Sequence, residues 1–95
     1  MAYNKNVVRK ALVSLSIEKA LLGIGKETHD KVVRELYKRY HSYLPNCYEH
    51  PEYLSEILKK LNDNTSKDVA GSIKKQLEEF SYYQQIARFL EIISQ

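Results

Sequence analysis

The chain's only cysteine lies near two histidines, and these residue types could bind a metal or carry out nucleophilic catalysis. Cys47 and His50 stand in a C-x-x-H spacing, and His41 precedes them. A structural zinc site normally needs four ligands, and one thiolate without a second paired motif leaves such a site incomplete. A Cys–His nucleophile would also need an orienting third group and an oxyanion hole, which the sequence does not indicate. The sequence therefore predicts no enzyme, no catalytic residue, no metal and no cofactor.

The glycine-rich segment GIGKET, residues 23–28, invites comparison with a phosphate-binding loop. A loop of that kind has the spacing G-x-x-x-x-G-K-[ST] and follows a strand, so that successive backbone amides surround the phosphate. In this chain the segment follows a predicted helix and lacks the spacing. It is therefore predicted to be a turn between two helices.

One face of the predicted second helix is basic and is a candidate surface for a nucleic acid or another partner. Lys31, Arg34, Lys38 and His41 recur at helical spacing, and Arg39 adds to the same basic face. Tyrosines interleave with these cations, as they do on many nucleic-acid-binding surfaces. The alternative is an ordinary solvated face, because Tyr37 and Tyr40 fall on the apolar stripe and are then predicted to lie in the core. Asp30 and Glu35 also dilute the positive charge.

Length and composition indicate one globular domain, residues 1–95. The chain is 43% hydrophobic and 28% charged, which is usual for a folded protein. A lone cysteine cannot form an internal disulfide, and no apolar run is long enough for a membrane span or a signal peptide. We therefore expect a cytoplasmic protein with no membrane partner. The formal charge of +3 is uneven: residues 1–45 carry nine Lys or Arg against four Asp or Glu, and residues 46–95 carry six against eight.

Apolar residues recur at helical spacing along the chain, which predicts an all-α fold, a compact bundle of four to five short helices. The first helix is predicted at about 6–22 and ends at the glycines of the GIGKET segment. The second is predicted at about 29–43, with Thr28 as its N-cap and Pro45 as the residue that ends it. Pro51 then fits the first turn of the third helix.

The second half of the chain predicts the remaining helices. Thr65 and Asp68 have the spacing of a capping box for a fourth helix that runs to about Phe80. Gly71 lies inside that helix, where close helix packing would explain a glycine. A break near residues 81–82 then separates the fourth helix from the last one.

The first and last helices carry more large apolar residues than a small monomer can easily bury, which predicts a partner surface. The candidate oligomer face consists of Val13, Ile17, Leu21 and Ile92. A homodimer is the simplest arrangement that would cover it. The sequence thus predicts a small helical regulatory, signal-output or protein-interaction module without catalytic activity. The alternative is a helical nucleic-acid-binding regulator that uses the basic face of the second helix.

A resemblance to a known family adds to this interpretation. The segment YLPNCYEHPEYLSEILKKL, with IEKALLGIGKETHDKVVRELY before it and SIKKQLEEF after it, resembles the small archaeal Nitrosopumilus-type output domain family. The resemblance covers about Leu12 to Leu90 and is most specific from Pro45 to Leu54. It implies a signalling output or regulatory domain, and it carries over no functional residues. The loop NDNTSKD departs from the more glycine- and aromatic-containing turn of that family.

Overall fold

The computed structural model describes residues 5–95. Five α-helices follow one another: α1 Lys5–Ile24, α2 Lys26–Tyr40, α3 Pro51–Lys59, α4 Asp63–Leu77 and α5 Gln84–Ile93. Two 3₁₀ helices, Leu44–Tyr48 and Glu78–Phe80, precede α3 and α5. No strand occurs within the described range, so the predicted all-α bundle is confirmed, as is the predicted break near residues 81–82. None of these helices is both long and apolar enough to cross a membrane.

The central helix of the bundle is α1, which packs against α2, α4 and the first 3₁₀ helix. One side of α1 supplies Val13, Ile17 and Leu21, whose side chains are fully buried. The other helices complete the same core, chiefly with Val32, Leu36, Leu54, Leu58, Ile73, Leu77, Ile86 and Phe89. Each large apolar side chain that is buried in this way contributes about 1.5–3 kcal/mol to folding.

The glycine-rich turn between α1 and α2 is shorter than predicted. The first helix continues through Gly23 to Ile24, so that Gly25 alone separates the two helices. The backbone of Gly25 has φ 159° and ψ 156°, a conformation that residues with a Cβ rarely adopt. The second helix therefore begins at Lys26, and the prediction of Thr28 as its N-cap is wrong.

The second helix ends at Tyr40, three residues earlier than predicted. His41 adopts the left-handed conformation (φ 50°, ψ 39°), and its N–H donates to the carbonyl oxygen of Tyr37 at 2.9 Å. A left-handed residue ends a helix by satisfying its last carbonyl groups. Pro45 is therefore not the residue that ends α2, and it lies in the 3₁₀ helix that follows. We call residues 41–50 the elbow.

The starts of α3 and α4 show one correct prediction and one error. Pro51 opens α3 as predicted, since the first turn of a helix needs no amide donor at that position. The fourth helix begins at Asp63, because the Asn62 side-chain oxygen accepts a hydrogen bond from the backbone N–H of Thr65 at 3.0 Å. The predicted capping box of Thr65 with Asp68 is therefore wrong.

Gly71 lies on the exposed side of α4 and makes no close helix contact. A Cβ built at this residue meets no atom within 4 Å, so the predicted role of Gly71 in close packing is wrong. Glycine inside a helix costs about 0.5–1 kcal/mol relative to alanine. We therefore expect Gly71→Ala to raise the free energy of unfolding by about that amount, measured by urea denaturation with circular dichroism. The matched change Gly25→Ala should lower it, and a loss of stability in Gly71→Ala would contradict the prediction.

Candidate interaction surfaces

The metal-capable side chains of the elbow do not come together. Cys47 is fully buried, whereas His41 and His50 lie on the surface, where the His50 ring stacks on the Tyr53 ring at 4.6 Å. Burial raises the pKa of the Cys47 thiol to about 12, and the negative charge of Glu52 adds to the rise. Within residues 5–95, no three His, Cys, Asp or Glu side chains are grouped as metal ligands would be. Cys47 therefore serves the core as a small apolar side chain.

Tyrosines in and around the elbow join several helices. The rings of Tyr40 in α2 and Tyr53 in α3 are stacked, with centroids 4.0 Å apart and an interplanar angle of 4°. Tyr48 is buried, and its hydroxyl lies within hydrogen-bond distance of the side-chain oxygens of Asn6 in α1 and Gln85 in α5. These contacts link four of the five helices around the elbow. The elbow is therefore a packed joint.

The predicted oligomer face lies mainly in the core. Val13, Ile17 and Leu21 have no exposed area, because this side of α1 faces the bundle interior, and Ile92 is half-buried. A side chain that is already packed inside its own subunit has no surface left for a partner. The assignment of Val13, Ile17 and Leu21 to an oligomer face is therefore wrong.

The apolar surface that α1 does expose lies on its opposite side. Val8, Leu15 and Leu22 keep 57%, 49% and 46% of their area exposed. A spacing of seven residues is nearly two helical turns, so these three side chains form one line along the helix. Val7 and Ala11 are exposed beside the line. We call these five residues the outer stripe.

A shallow apolar groove lies between α1 and the elbow, beside the N-terminal part of the outer stripe. It is lined by Val7, Lys10, Ala11, Ser14, Leu15, Glu18 and Pro45. Lys10 Nζ lies 2.9 Å from Glu49 Oε2, and this ion pair ties α1 to the elbow. Glu18 and Lys19 are both exposed, and neither has an ion-pair partner in the described part of the chain. The groove thus combines an apolar floor with a carboxylate that is free to pair.

The cations predicted for the second helix all lie on the surface. Lys31, Arg34, Lys38, Arg39 and His41 are exposed. Arg39 Nε donates to Glu35 Oε1 at 3.0 Å, and this hydrogen bond lowers the pKa of the Glu35 carboxyl group. Arg34 and Lys38 have no carboxylate within ion-pair distance among residues 5–95. Lys31 likewise has no ion-pair partner there, and Arg34 and Lys38 lie one helical turn apart towards the C-terminal end of the basic face.

Two tyrosines lie beside these cations on the surface. Tyr37 and Tyr43 keep 53% and 57% of their area exposed, so the prediction that Tyr37 is a core residue is wrong. Their ring centroids are 5.8 Å apart, with an angle of 39° between the planes. Together with Val33, Arg34, Glu35 and Lys38 they line a shallow hollow. We call Arg34, Tyr37, Lys38 and Tyr43 the tyrosine–cation surface.

No family model, curated protein or solved structure matches this chain. The resemblance to the output domain family therefore stays a prediction. The exposed apolar and aromatic side chains include the outer stripe of α1 and the tyrosine–cation surface of α2.

Proposed function

We propose that this chain is a small helical interaction module, without catalytic activity, that forms a homodimer through the outer stripe of α1. The supporting observation is the line of Val8, Leu15 and Leu22, three large apolar side chains that remain about half exposed on the central helix. Exposed large apolar side chains aligned on one side of a helix, with the charged Glu18 and Lys19 beside them, fit a protein–protein contact site that has charges at its rim. The resemblance to the output domain family adds a regulatory or signal-output role to the proposal.

The spacing of the stripe favours a second copy of the chain as the partner. Leu15 lies seven residues from both Val8 and Leu22, so the pattern reads the same in both directions. A two-fold axis perpendicular to α1 at Leu15 would place Leu15 against Leu15 of the partner subunit. It would also place Val8 against Leu22 of the partner subunit. Because a two-fold interface uses the same patch on both subunits, this self-matching pattern is what such an interface requires.

The charges beside the stripe favour antiparallel helices. In a parallel pair each residue lies level with its own copy, so Glu18 would face Glu18 of the partner subunit. In the antiparallel pair Glu18 instead lies level with Leu12 of the partner subunit, away from the like charge, and Lys10 keeps its ion pair with Glu49 of its own subunit. Opposite charges at the rim of an interface help to fix its register, whereas like charges oppose it.

The proposal is tested by charge substitutions at the residue that lies on the two-fold axis. We expect the wild-type chain to dimerise in sedimentation equilibrium, and Leu15→Glu and Leu15→Lys each to weaken the dimer by at least about tenfold, because each places like charges together. An equimolar mixture of the two variants should recover the dimer, since residue 15 then meets an opposite charge.

The matched control is Ile24→Lys, which adds a charge to the same helix at an exposed residue outside the stripe. It should dimerise like the wild type. A wild-type chain that stays monomeric up to about millimolar concentration would rule out the homodimer, since that limit corresponds to only about 4 kcal/mol of binding. Two Leu15 variants that remain monomeric after mixing would rule out the axis at Leu15.

A further inference from the structure

We infer that the tyrosine–cation surface of α2 binds single-stranded nucleic acid. This binding site is separate from the proposed dimer face, because the outer stripe belongs to α1 whereas the tyrosine–cation surface belongs to α2 and the elbow. Binding there does not depend on dimerisation. Three features support the inference: the exposure of the two rings, the unpaired cations beside them and the position of the carboxylates on α2.

The rings of Tyr37 and Tyr43 are placed so that an unpaired base can stack on them. The chain also contains a closed pair, Tyr40 and Tyr53, whose planes are nearly parallel at 4.0 Å and cover each other. Tyr37 and Tyr43 differ, since their centroids are 5.8 Å apart, their planes are tilted by 39°, and more than half of each residue is exposed. Exposed aromatic faces in a positively charged groove are the common feature of proteins that bind single strands without reading the sequence.

The cations of the surface are available for phosphate groups. Arg34 and Lys38 are exposed, lie four residues apart on one side of the helix, and line the same hollow as the two tyrosines. Arg39 is less available because it already pairs with Glu35. A strand whose base stacks on Tyr37 could therefore place neighbouring phosphates against Arg34 and Lys38.

The carboxylates of α2 argue against a duplex as the ligand. Proteins that read duplex DNA with a helix usually insert the N-terminal residues of that helix into the major groove. The N-terminal half of α2 carries Glu27 and Asp30 against Lys26 and Lys31, so it offers the phosphates of a duplex no net positive charge. The tyrosine–cation surface lies at the other end of the helix, and stacking there requires bases that are already unpaired.

The test measures fluorescence anisotropy of labelled oligothymidylate and oligouridylate with the full chain. A 12-mer duplex of mixed sequence and poly-glutamate serve as comparison ligands. We expect both single strands to bind more tightly than the duplex, and poly-glutamate not to compete. If Arg34 and Lys38 are the main phosphate contacts, the slope of log K against log salt should be about −1.4, from about −0.7 per contact on a single strand.

Variants separate stacking from simple charge attraction. Tyr37→Ala and Tyr43→Ala should each weaken binding by about tenfold at constant salt slope, whereas Tyr37→Phe should retain it because the ring remains. Lys38→Gln should change the slope of log K against log salt from about −1.4 to about −0.7, because one of the two phosphate contacts is lost. The matched controls are Tyr82→Ala, at an exposed tyrosine outside the surface, and Lys74→Gln, at an exposed lysine of α4. Both should bind like the wild type.

Four results would overturn the inference. The first is no binding of either single strand at low salt, and the second is binding of the duplex as tight as that of the single strands. The third is competition by poly-glutamate, which would assign the surface to acidic peptides. The fourth is unchanged binding by both Tyr→Ala variants. Because both tyrosines are exposed, the variants are expected to fold, and thermal unfolding followed by circular dichroism checks this.

Discussion

Leu21→Ala is expected to lower the free energy of unfolding by about 2–5 kcal/mol, whereas Leu22→Ala should change it by no more than about 0.5 kcal/mol. The two leucines are neighbours in the sequence and lie in the same helix. Leu21 has no exposed area, so its truncation leaves a cavity in the core in addition to the lost burial of the side chain. Leu22 belongs to the outer stripe and is about half exposed, so its truncation creates no internal cavity.

The same two variants should have the reverse order of effects on association. Leu22→Ala removes one of the large side chains of the proposed dimer face, and Leu21→Ala removes none. Urea denaturation at low protein concentration measures the effect on the free energy of unfolding, and sedimentation of the folded chains measures the effect on dimerisation. Equal losses of stability in both variants would contradict the division of α1 into a core side and an outer side. A dimer that Leu21→Ala weakens more than Leu22→Ala does would contradict the position of the interface.

The number and order of the helices follow from the periodicity of apolar residues, but the helix ends do not. The linker before α4 offers several residues that can cap a helix, from Asn62 to Thr65, and sequence spacing alone does not select among them. The structure selects Asn62 because its side chain reaches the N–H of Thr65. At the end of α2, His41 adopts the left-handed conformation without being a glycine, so the usual sequence signal for a helix end is missing.

The surfaces are harder to predict than the fold because α1 is apolar on two sides. The sequence shows a wide apolar face, but only the packing of α2 and α4 determines which side of α1 is covered. Seven-residue spacing does not separate the two sides, because the exposed Val8, Leu15 and Leu22 recur at this spacing and so do the buried Val13 and Ala20.

A similar ambiguity affects the second helix. Val32 and Val33 are adjacent, and a stripe drawn through Val33 and Leu36 also takes in Tyr37. The structure buries Val32 and Leu36 instead, which turns Tyr37 outward next to Arg34. The core position of one valine therefore decides whether the helix presents an aromatic ring to a ligand.

Cys47 is expected to react with a thiol-directed reagent about a thousandfold more slowly in the folded chain than in the chain unfolded by urea, since each pKa unit changes the thiolate fraction tenfold. Burial raises the pKa of this thiol from 9.0 to about 12, and the thiolate is the reactive form. At pH 8 the folded chain thus holds far less thiolate than the unfolded chain. The measurement compares labelling rates with and without urea.

The pKa of Cys47 also predicts how stability depends on pH. Because the folded chain keeps the thiol proton at pH values where the unfolded chain loses it, the stabilisation from this group is complete below pH 9 and is lost as the pH rises towards 12.

For the labelling experiment, a Ser94→Cys variant supplies an exposed thiol in the same chain as an internal standard. In this variant the thiol at residue 94 should react fast, and Cys47 should react slowly. Fast labelling of Cys47 in the native wild type would contradict its burial and would restore the elbow as a candidate nucleophilic site.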